Sequence, residues 1–367
     1  MIRTLVQYGA GNIGRSLIGG LFSRAGWEVV FVDVIPEVLE SLDRERRYRI
    51  VVKEKEESEI WVEGVRAVDG RDREAVAREI SSCDLLSTAV GPAILPKIAP
   101  EIAAGIARRT EPLNILLCEN LRGAPEIMAE ALAKELPDGF PLSEKVGLIA
   151  TSIGKMVPLM PVEVRKRDPL EVWAEAYNKL IADREAFLGS IPEVEGLVAR
   201  GSFEAYVDQK LFVHNMGHAA AAYLGDRFGA VTIAQAMEMS QVGPVVGSAM
   251  RESGRALVRL YPWEFTPAAM EDYVEDLCRR FGNHALGDTV YRVGRDRPRK
   301  YAPNDRLIGA LRDQAGAGVG SEDTLQAVAA GLFFSATDEE GNRLPADIEF
   351  ERLFREKGLR GLLREVS

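Results

Sequence analysis

The chain has 367 residues, of which 46% are hydrophobic, and its 46 basic and 56 acidic residues give a net charge of −10. The length suits about two domains, and the hydrophobic fraction excludes a disordered chain. The negative charge argues against binding to nucleic acid or to an anionic membrane, because both need a basic surface. Three scattered cysteines form no disulfide or zinc pattern and are typical of a reducing compartment.

The sequence carries no pattern for secretion or for membrane insertion. It begins with a strand pattern instead of a basic segment followed by an apolar one, and no apolar run reaches the length of a membrane span. We therefore expect a cytoplasmic protein that binds neither nucleic acid nor a membrane, and whose partner is a small molecule.

Strands and helices alternate in the first half of the chain. A strand over 4–8 leads into a glycine-rich loop, a helix over about 13–25 and a second strand over 28–33. This order predicts parallel strands joined by right-handed crossovers. Residues 48–68 contain two β-rich pieces around a charged run, which we interpret as an inserted antiparallel hairpin. The parallel pattern then resumes with strands over 84–90, 113–118 and 146–150 and helices over about 94–108 and 125–136.

The pattern changes near residue 193 and is mainly helical from about residue 202 onward. We therefore predict an α/β protein with a Rossmann-type domain over 1–193, built on a doubly wound, mostly parallel sheet. A mainly α-helical domain over 194–367 is expected to hold the substrate and the catalytic groups. Its predicted helices span 203–224, 232–260, 267–281, 305–314 and 322–333, followed by a short C-terminal segment.

A glycine loop joins the first strand to the first helix and is the candidate dinucleotide site. Gly9 permits a tight turn, Gly11 allows the backbone to approach a pyrophosphate, and Gly14 allows close packing of helix on strand. The N-terminus of the helix adds free N–H groups and a positive dipole. The loop consists of Gly9, Ala10, Gly11, Asn12, Ile13 and Gly14.

Asp33 ends the second strand and bears on the choice between NAD and NADP. A carboxylate at this position accepts hydrogen bonds from the adenosine ribose and repels a 2′-phosphate. We therefore expect NAD as the cofactor. Arg15 and Arg44 lie close enough in the sequence to leave some use of NADP open.

The ends of two later strands supply further cofactor candidates. In doubly wound sheets the ligand lies at the carboxyl ends of the strands. Val90 and Gly91 are therefore expected to line the cofactor groove, and Asn120 is a candidate for the nicotinamide side.

One predicted helix carries polar side chains on a single broad face. At about 100° per residue, this face holds Lys210, His214, Asn215 and His218, and its apolar flanks predict that the helix is buried. Burial and nearby cations lower the pKa of a lysine, so Lys210 can act as a general base. Asn215 and His218 can hydrogen-bond a reacting oxygen and stabilise its developing charge. For His214 we expect no role.

Five segments, in order along nearly the whole chain, resemble the polyol-specific long-chain dehydrogenases. The resemblance implies a metal-independent, NAD-linked enzyme that interconverts mannitol 1-phosphate and fructose 6-phosphate. It also implies that Lys210 is the general base, that Asn215 and His218 hold the carbinol oxygen, and that the protein is a monomer. The segments are GAGNIGR at 9–15, DLLSTAVGP at 84–92, CEN at 118–120, KLFVHNMGHAAAAYLG at 210–225 and RKYAPNDRLIG at 299–309.

The segment from Thr151 to Lys155 departs from the family pattern. Members carry a segment similar to DSAVDRIVP, whereas this chain has TSIGKMVP, so Gly154 and Lys155 replace the usual Asp-Arg pair. Lys155 is therefore a candidate for the cation at the substrate end of the site. The change leaves open a sister polyol or uronate dehydrogenase that acts on an unphosphorylated substrate.

A basic cluster late in the chain is the candidate phosphate site. It consists of Arg299, Lys300 and Arg306, and the planar guanidinium of arginine suits bidentate binding of phosphate. The same pattern also resembles branches of the family that use unphosphorylated sugars. A non-enzymatic NAD sensor is a third interpretation, against which the retained Lys210, Asn215 and His218 argue.

Overall fold

The computed structural model describes residues 2–158 and 160–366. The chain divides into two compact units, Met1–Phe203 and Glu204–Ser367. Residue 193, near which the sequence pattern changes, lies in the first unit between its last two strands. No helix in the described part of the chain is long and apolar enough to cross a membrane.

An eight-stranded sheet forms the first unit. The strands of this unit are β1 Thr4–Tyr8, β2 Glu28–Asp33, β3 Arg47–Val52, β4 Ser58–Glu63, β5 Val65–Asp69, β6 Leu85–Thr88, β7 Leu113–Leu117, β8 Val146–Ile153, β9 Val172–Ala174, β10 Leu180–Asp183 and β11 Leu197–Arg200. The order in the main sheet is β11-β10-β8-β7-β6-β1-β2-β5. The six strands from β8 to β5 are parallel, and β10 runs antiparallel to β8. Those six have the order of a doubly wound dinucleotide-binding sheet, so the predicted Rossmann architecture is confirmed.

Both faces of the main sheet are buried, which explains why its strands are continuous apolar runs. Successive side chains point to opposite faces. Leu5 and Phe31 belong to one core, which the first helix covers, whereas Val6 and Val32 belong to the core on the other face. The sheet is therefore held between two packed layers, and its carboxyl edge is left to loops.

The inserted hairpin is present but shorter than the predicted segment. β3 and β4 pair antiparallel from Arg47 opposite Glu63 to Val52 opposite Ser58. The chain turns at Gly64, whose φ is 67°, and the next five residues form β5, which runs parallel to β2 in the main sheet. On its other side β3 pairs with β9 to complete a separate three-stranded sheet.

Nine helical segments connect the described strands of the first unit. They are Gly14–Gly19, Gly20–Arg24, Pro36–Glu45, Arg73–Ser82, Leu95–Ile98, Ala99–Ile106, Ala124–Glu135, Leu142–Lys145 and Val162–Arg167. The segment Leu95–Ile98 is a 3-10 helix.

The second unit is helical, as predicted. Its helix Met216–Arg227 is buried from Ala219 to Gly225 and packs against four neighbouring helices. A helix that is apolar all round belongs in the core. The helical segments from the unit boundary onward are Phe203–Asp208, Gln209–Asn215, Met216–Arg227, Ile233–Glu238, Gly243–Leu260, Pro267–Phe281, His284–Leu286, Val290–Gly294, Arg297–Lys300, Ile308–Gly316, Glu322–Leu332 and Pro345–Glu365.

The single helix predicted over 232–260 is wrong, because the chain forms two helices there. Met239 has an extended conformation with ψ at 129°, which ends the first helix. Pro244 stands in the first turn of the second helix, where a missing N–H does no harm.

Two helices contain π-helical turns that the sequence did not indicate. They are Gly14–Gly19, directly after the glycine loop, and Gln209–Asn215, which holds Lys210. A π turn has i→i+5 hydrogen bonds, so it shifts the face on which later side chains lie. The uniform spacing of about 100° per residue used for 210–218 is therefore wrong within this segment.

A buried ion pair anchors the C-terminal helix in the second unit. Arg297 and Asp347 are 0% and 2% exposed. Asp347 Oδ1 accepts from Arg297 Nε at 3.2 Å and from its backbone N at 2.8 Å, and Oδ2 accepts from Asp296 N at 2.8 Å. Removal of the carboxylate would leave a buried guanidinium with an uncompensated charge.

We expect Asp347→Ala to lower the free energy of unfolding by about 3–5 kcal/mol, the usual cost of breaking a buried pair. Denaturant titration followed by circular dichroism measures this change. Glu349→Gln is the matched control, because Glu349 lies on the same helix and pairs with Arg352 at the surface. Equal midpoints for the two variants would contradict the prediction.

Candidate active site

The glycine loop has the backbone geometry that a dinucleotide needs. Gly9 has a φ of 96°, and a Cβ at this position would lie 2.5 Å from the carbonyl oxygen of Ala89. A Cβ on Gly14 would collide with the carbonyl of Gly9. A Cβ on Gly11, in contrast, would have no atom within 4 Å. The loop is thus closed on its protein side and open at Gly11, which fits the approach of a pyrophosphate.

Asp33 ties this loop to the end of β2. Its Oδ2 accepts a hydrogen bond from Ala10 N at 2.7 Å, and its Oδ1 accepts from Val34 N at 2.7 Å and from Ile35 N at 3.2 Å. The carboxylate therefore has a fixed position next to the loop. Asn12 and Ile13 follow on the loop, before Arg15 N closes the first helical turn on Gly11 O at 3.0 Å.

The two arginines that left NADP open are both engaged elsewhere in the first unit. Arg15 is 6% exposed, and its Nη1 donates to Pro169 O at 2.9 Å. Burial lowers the pKa of this guanidinium, and the neighbouring Asp33 charge opposes that effect. Arg44 is exposed and pairs with Glu45 at 2.9 Å.

Glu119 is a site residue that the sequence reasoning missed. It is 6% exposed, and its carboxylate accepts from Val90 N at 3.0 Å and from Gly91 N at 2.7 Å. The predicted groove residues Val90 and Gly91 therefore have their N–H groups occupied by a side chain from the next strand end, beside Asn120. An acidic residue directly after a buried strand is the signal that could have identified it.

The segment from Thr151 to Lys155, which differs from the family pattern, lies at the end of β8. The hydroxyl of Thr151 donates to Leu117 O at 2.8 Å, so it links β8 to β7. Lys155 Nζ donates to Tyr177 O at 2.7 Å. Lys155 also lines a cavity of about 450 Å³ within the first unit, together with Ser16 and Asn178.

The second unit brings the predicted catalytic side chains onto one helical segment. Lys210 lies in the π turn, Asn215 is its last residue, and His218 lies in the first turn of the helix that follows. Lys210, Asn215 and His218 each keep some exposure to solvent, whereas the adjacent Phe212, Val213 and Met216 are buried.

Burial changes the acid–base properties of Lys210. Desolvation, and then the positive charge of Arg306, lower the pKa of Lys210 to about 8. A substantial fraction of this amine is neutral at slightly alkaline pH, as a general base requires.

The two histidines of this segment differ in access. His214 is 4% exposed, and burial followed by the charge of Arg280 holds its pKa far below the usual range. The side chain of His218 is 16% exposed and stacks on Phe281, with ring centroids 4.8 Å apart. Its Nε2 lies 3.2 Å from Asp288 Oδ2, a partner that the sequence reasoning did not identify. His218 can therefore meet a ligand, whereas His214 is part of the core.

The three cations of the candidate phosphate cluster have different surroundings. Arg299 is half exposed and pairs with Asp296 at 2.6 Å. Lys300 is 4% exposed and its Nζ donates to the carbonyl of Arg295. Burial, and then the charge of Arg306, lower the pKa of Lys300 to about 7. Arg306 thus acts electrostatically on both lysines, while its Nε donates to Asp305 at 2.8 Å.

Comparisons with known proteins agree with this fold. The sequence model of the mannitol dehydrogenase Rossmann domain matches residues 3–196, and that of the mannitol dehydrogenase C-terminal domain matches residues 202–361. A mannitol-1-phosphate 5-dehydrogenase of Brevibacillus brevis is 36% identical over 351 residues, which cover 94% of this chain and 89% of the relative. Another protein of that name, from Geobacillus thermodenitrificans, is 36% identical over 358 residues, covering 94% and 90%.

Two solved structures share the fold at low sequence identity. A D-sorbitol dehydrogenase in substrate-free form has a TM-score of 0.77 at 16% identity, covering 99% of this chain and 95% of that one. Pseudomonas fluorescens mannitol 2-dehydrogenase, in a ternary complex with NAD and D-mannitol, has a TM-score of 0.70 at 16% identity, covering 100% and 94%.

The fold and the two domain matches define a dehydrogenase that uses a dinucleotide. The chain belongs to the mannitol dehydrogenase family. It is accordingly an NAD-dependent oxidoreductase that acts on a CH–OH group. The family resemblance expected from the sequence is confirmed.

Gly11→Ala should weaken NADH binding while leaving the protein folded. The added Cβ has no neighbour within 4 Å, but it would occupy the space through which a pyrophosphate approaches the backbone. Titration of NADH fluorescence and a thermal melt measure the two effects. Gly316→Ala is the matched control, because a Cβ there also meets no atom. Equal NADH affinity in both variants would contradict the assignment of the loop.

Alcohol oxidation should depend on the ionisation of Lys210. The neutral amine is the base, so kcat/KM should rise with pH along a limb with its inflection near pH 8, and then level off. Arg306→Gln removes a charge that lowers this pKa, so the limb should move to higher pH, whereas Arg306→Lys keeps the charge and should keep the limb in place. Initial rates across pH test this, and a limb that does not move in Arg306→Gln would refute the coupling.

Proposed function

We propose that this protein interconverts mannitol 1-phosphate and fructose 6-phosphate, with NAD as the cofactor. The observation that carries the proposal is the continuous helical segment that holds Lys210, Asn215 and His218. Burial and the charge of Arg306 lower the pKa of Lys210 there to about 8. The substrate is inferred from two relatives named mannitol-1-phosphate 5-dehydrogenase, each 36% identical over 94% of this chain.

The cofactor residues of the proposal are those of the glycine loop, with Asp33, Val90, Gly91 and Asn120 beside it. In the proposal, Gly11 leaves room for the pyrophosphate, and the Asp33 carboxylate accepts hydrogen bonds from the hydroxyls of the ribose. Arg15 is buried and donates to Pro169 O, and the Asp33 carboxylate would repel a 2′-phosphate, whereas Arg44 is exposed and its surface pair with Glu45 is weak. These contacts support NAD over NADP.

In the proposed reaction, NAD when bound would accept the hydride. Side chains of the second unit remove or return the hydroxyl proton. Lys210 Nζ in its neutral form removes the hydroxyl proton of the polyol as the carbinol carbon is oxidised. The amide of Asn215 donates a hydrogen bond to the reacting oxygen, and His218 hydrogen-bonds the substrate beside it. In the reverse direction the Lys210 ammonium returns the proton to the alcohol oxygen.

Burial and the charge of Arg306 also lower the pKa of Lys300, to about 7, but its surroundings make it the weaker candidate for the base. Its Nζ already donates to the carbonyl of Arg295, and the residue is 4% exposed. Lys210 is more accessible to a substrate. A base must reach the proton that it removes, so geometry decides between the two lysines.

The phosphate of the substrate is assigned to Arg306 and Arg299, with Lys300 and Lys155 as further candidates. Arg306 is the cation whose charge lowers the pKa of both Lys210 and Lys300. Arg299 is half exposed and pairs with Asp296. Guanidinium groups bind phosphate in a bidentate manner, which supports a phosphorylated substrate.

We further propose that the enzyme acts as a monomer in the cytoplasm. Its family resemblance supports the monomer, and its free cysteines, of which Cys83 and Cys118 are buried, suit a reducing compartment. Light scattering of the purified protein tests the first statement, and fractionation of the source cells tests the second.

Fructose 6-phosphate should drive NADH oxidation, whereas fructose, fructuronate and tagaturonate should drive little. Lys210→Ala should reduce kcat by about 10²- to 10⁴-fold, as expected for the loss of a general acid–base group. Lys357→Ala is the control, because this lysine pairs with Glu365 at the surface.

Several outcomes would overturn the proposal. Faster turnover of an unphosphorylated sugar or uronate would assign the enzyme to another branch of the family. Full activity in Lys210→Ala would show that Lys210 is not the general base. NADH binding without turnover of any of these substrates would favour a sensor.

A further inference from the structure

Asp288 is the partner of one ring nitrogen of His218. Asp288 Oδ2 lies 3.2 Å from His218 Nε2, while Asp288 Oδ1 accepts from Arg292 Nε at 2.6 Å. Burial opposes ionisation of this carboxyl, but the hydrogen bonds with His218 and Arg292 and the guanidinium charge of Arg292 outweigh it and hold the pKa of Asp288 below its usual range. Asp288 is therefore a carboxylate, which can only accept hydrogen bonds.

Both residues of this pair are held firmly. The backbone of Asp288 accepts from Ile233 N at 2.9 Å, and Val290 N donates to Val231 O at 2.9 Å, which clamps the segment on both sides. The imidazole of His218 lies nearly parallel to the ring of Phe281, at an angle of 11°. The ring is thus fixed by stacking on one side and by the carboxylate at one nitrogen.

We propose that Asp288 is a positioning residue that keeps the proton of neutral His218 on Nε2 and so makes Nδ1 a hydrogen-bond acceptor toward the substrate. The reason is the donor–acceptor count. A carboxylate requires a donor at Nε2, and a neutral imidazole carries only one N–H, so Nδ1 keeps its lone pair. His218 then receives the hydrogen of a substrate hydroxyl, and Asn215 supplies the N–H donor to the reacting oxygen. This division of roles rests on the proposed function.

The Asp288→Asn substitution reverses this arrangement. Arg292 can only donate, so the single amide oxygen of Asn stays with Arg292. The amide NH2 then faces Nε2, which must accept, and the proton moves to Nδ1. The variant keeps the size and nearly the shape of the side chain while changing the tautomer, as removal of a carboxylate partner does to a catalytic histidine elsewhere.

The tautomer is measured directly by nitrogen-15 NMR of histidine-labelled protein at alkaline pH. The chain has three histidines, so His214→Gln and His284→Gln variants assign the signals. We expect a protonated Nε2 and an unprotonated Nδ1 for His218 in the wild type, and the opposite in Asp288→Asn. A proton on Nδ1 in the wild type would overturn the proposal. This measurement needs no turnover, so it stands even if the proposed substrate is wrong.

Kinetics with fructose 6-phosphate and NADH test the consequence. Asp288→Asn should lower kcat/KM by about 10- to 100-fold, the range that hydrogen-bond partners of metal-ligating histidines show, with unchanged NADH affinity. In the His218→Ala background the same substitution should cost little, because the group that it orients is gone. An equal loss in both backgrounds would assign Asp288 a merely structural role and refute the positioning.

Glu238→Gln is the matched control for this experiment. It removes the partner of His284 Nε2, a carboxylate–histidine pair at 2.7 Å on the surface of the same unit. Its kinetics should equal those of the wild type. Wild-type protein that turns over no fructose 6-phosphate would refute the proposed function and leave the NMR result to decide the tautomer.

Discussion

Carboxylates at fixed positions accept hydrogen bonds at both candidate sites, and the geometry of each site depends on them. Where strands end at the carboxyl edge of the first sheet, N–H groups lose their ladder partners and need others. Asp33 accepts from Ala10 and Val34, and Glu119 accepts from Val90 and Gly91. Each carboxylate joins two segments that meet only at this edge. The dinucleotide loop therefore has a defined shape without relying on the cofactor for it.

Burial in the second unit changes the acid–base properties of two lysines. An ammonium in a desolvated place loses hydration, which lowers its pKa, and the nearby guanidinium of Arg306 lowers it further. Lys210 and Lys300 both respond in this way. Exposure to solvent, which is greater for Lys210 than for Lys300, then separates the lysine that a substrate can reach from the one that is shielded. Arg297, in contrast, lies in the core as one partner of an ion pair, where the Asp347 carboxylate compensates its charge.

The sequence predicted the local features well, because they depend on neighbouring residues. The glycine loop, the apolar strands and the polar helix around Lys210 all follow from spacing within a short segment. The roles of Glu119 and Asp288 did not follow, because each acts on residues far away in the chain. The π turns at Gly14–Gly19 and Gln209–Asn215 were missed as well, because a uniform spacing of about 100° per residue assumes an unbroken α-helix.

The link between Asp288 and His218 illustrates why such distant partners matter for chemistry. A motif with a lysine, an asparagine and a histidine states which groups are present but not which nitrogen of the imidazole carries the proton. That choice is made by a carboxylate outside the motif, and Arg292 makes it strict by occupying the other oxygen. The roles of Asn215 as donor and His218 as acceptor thus follow from the packing of Asp288 against the helix rather than from the motif itself.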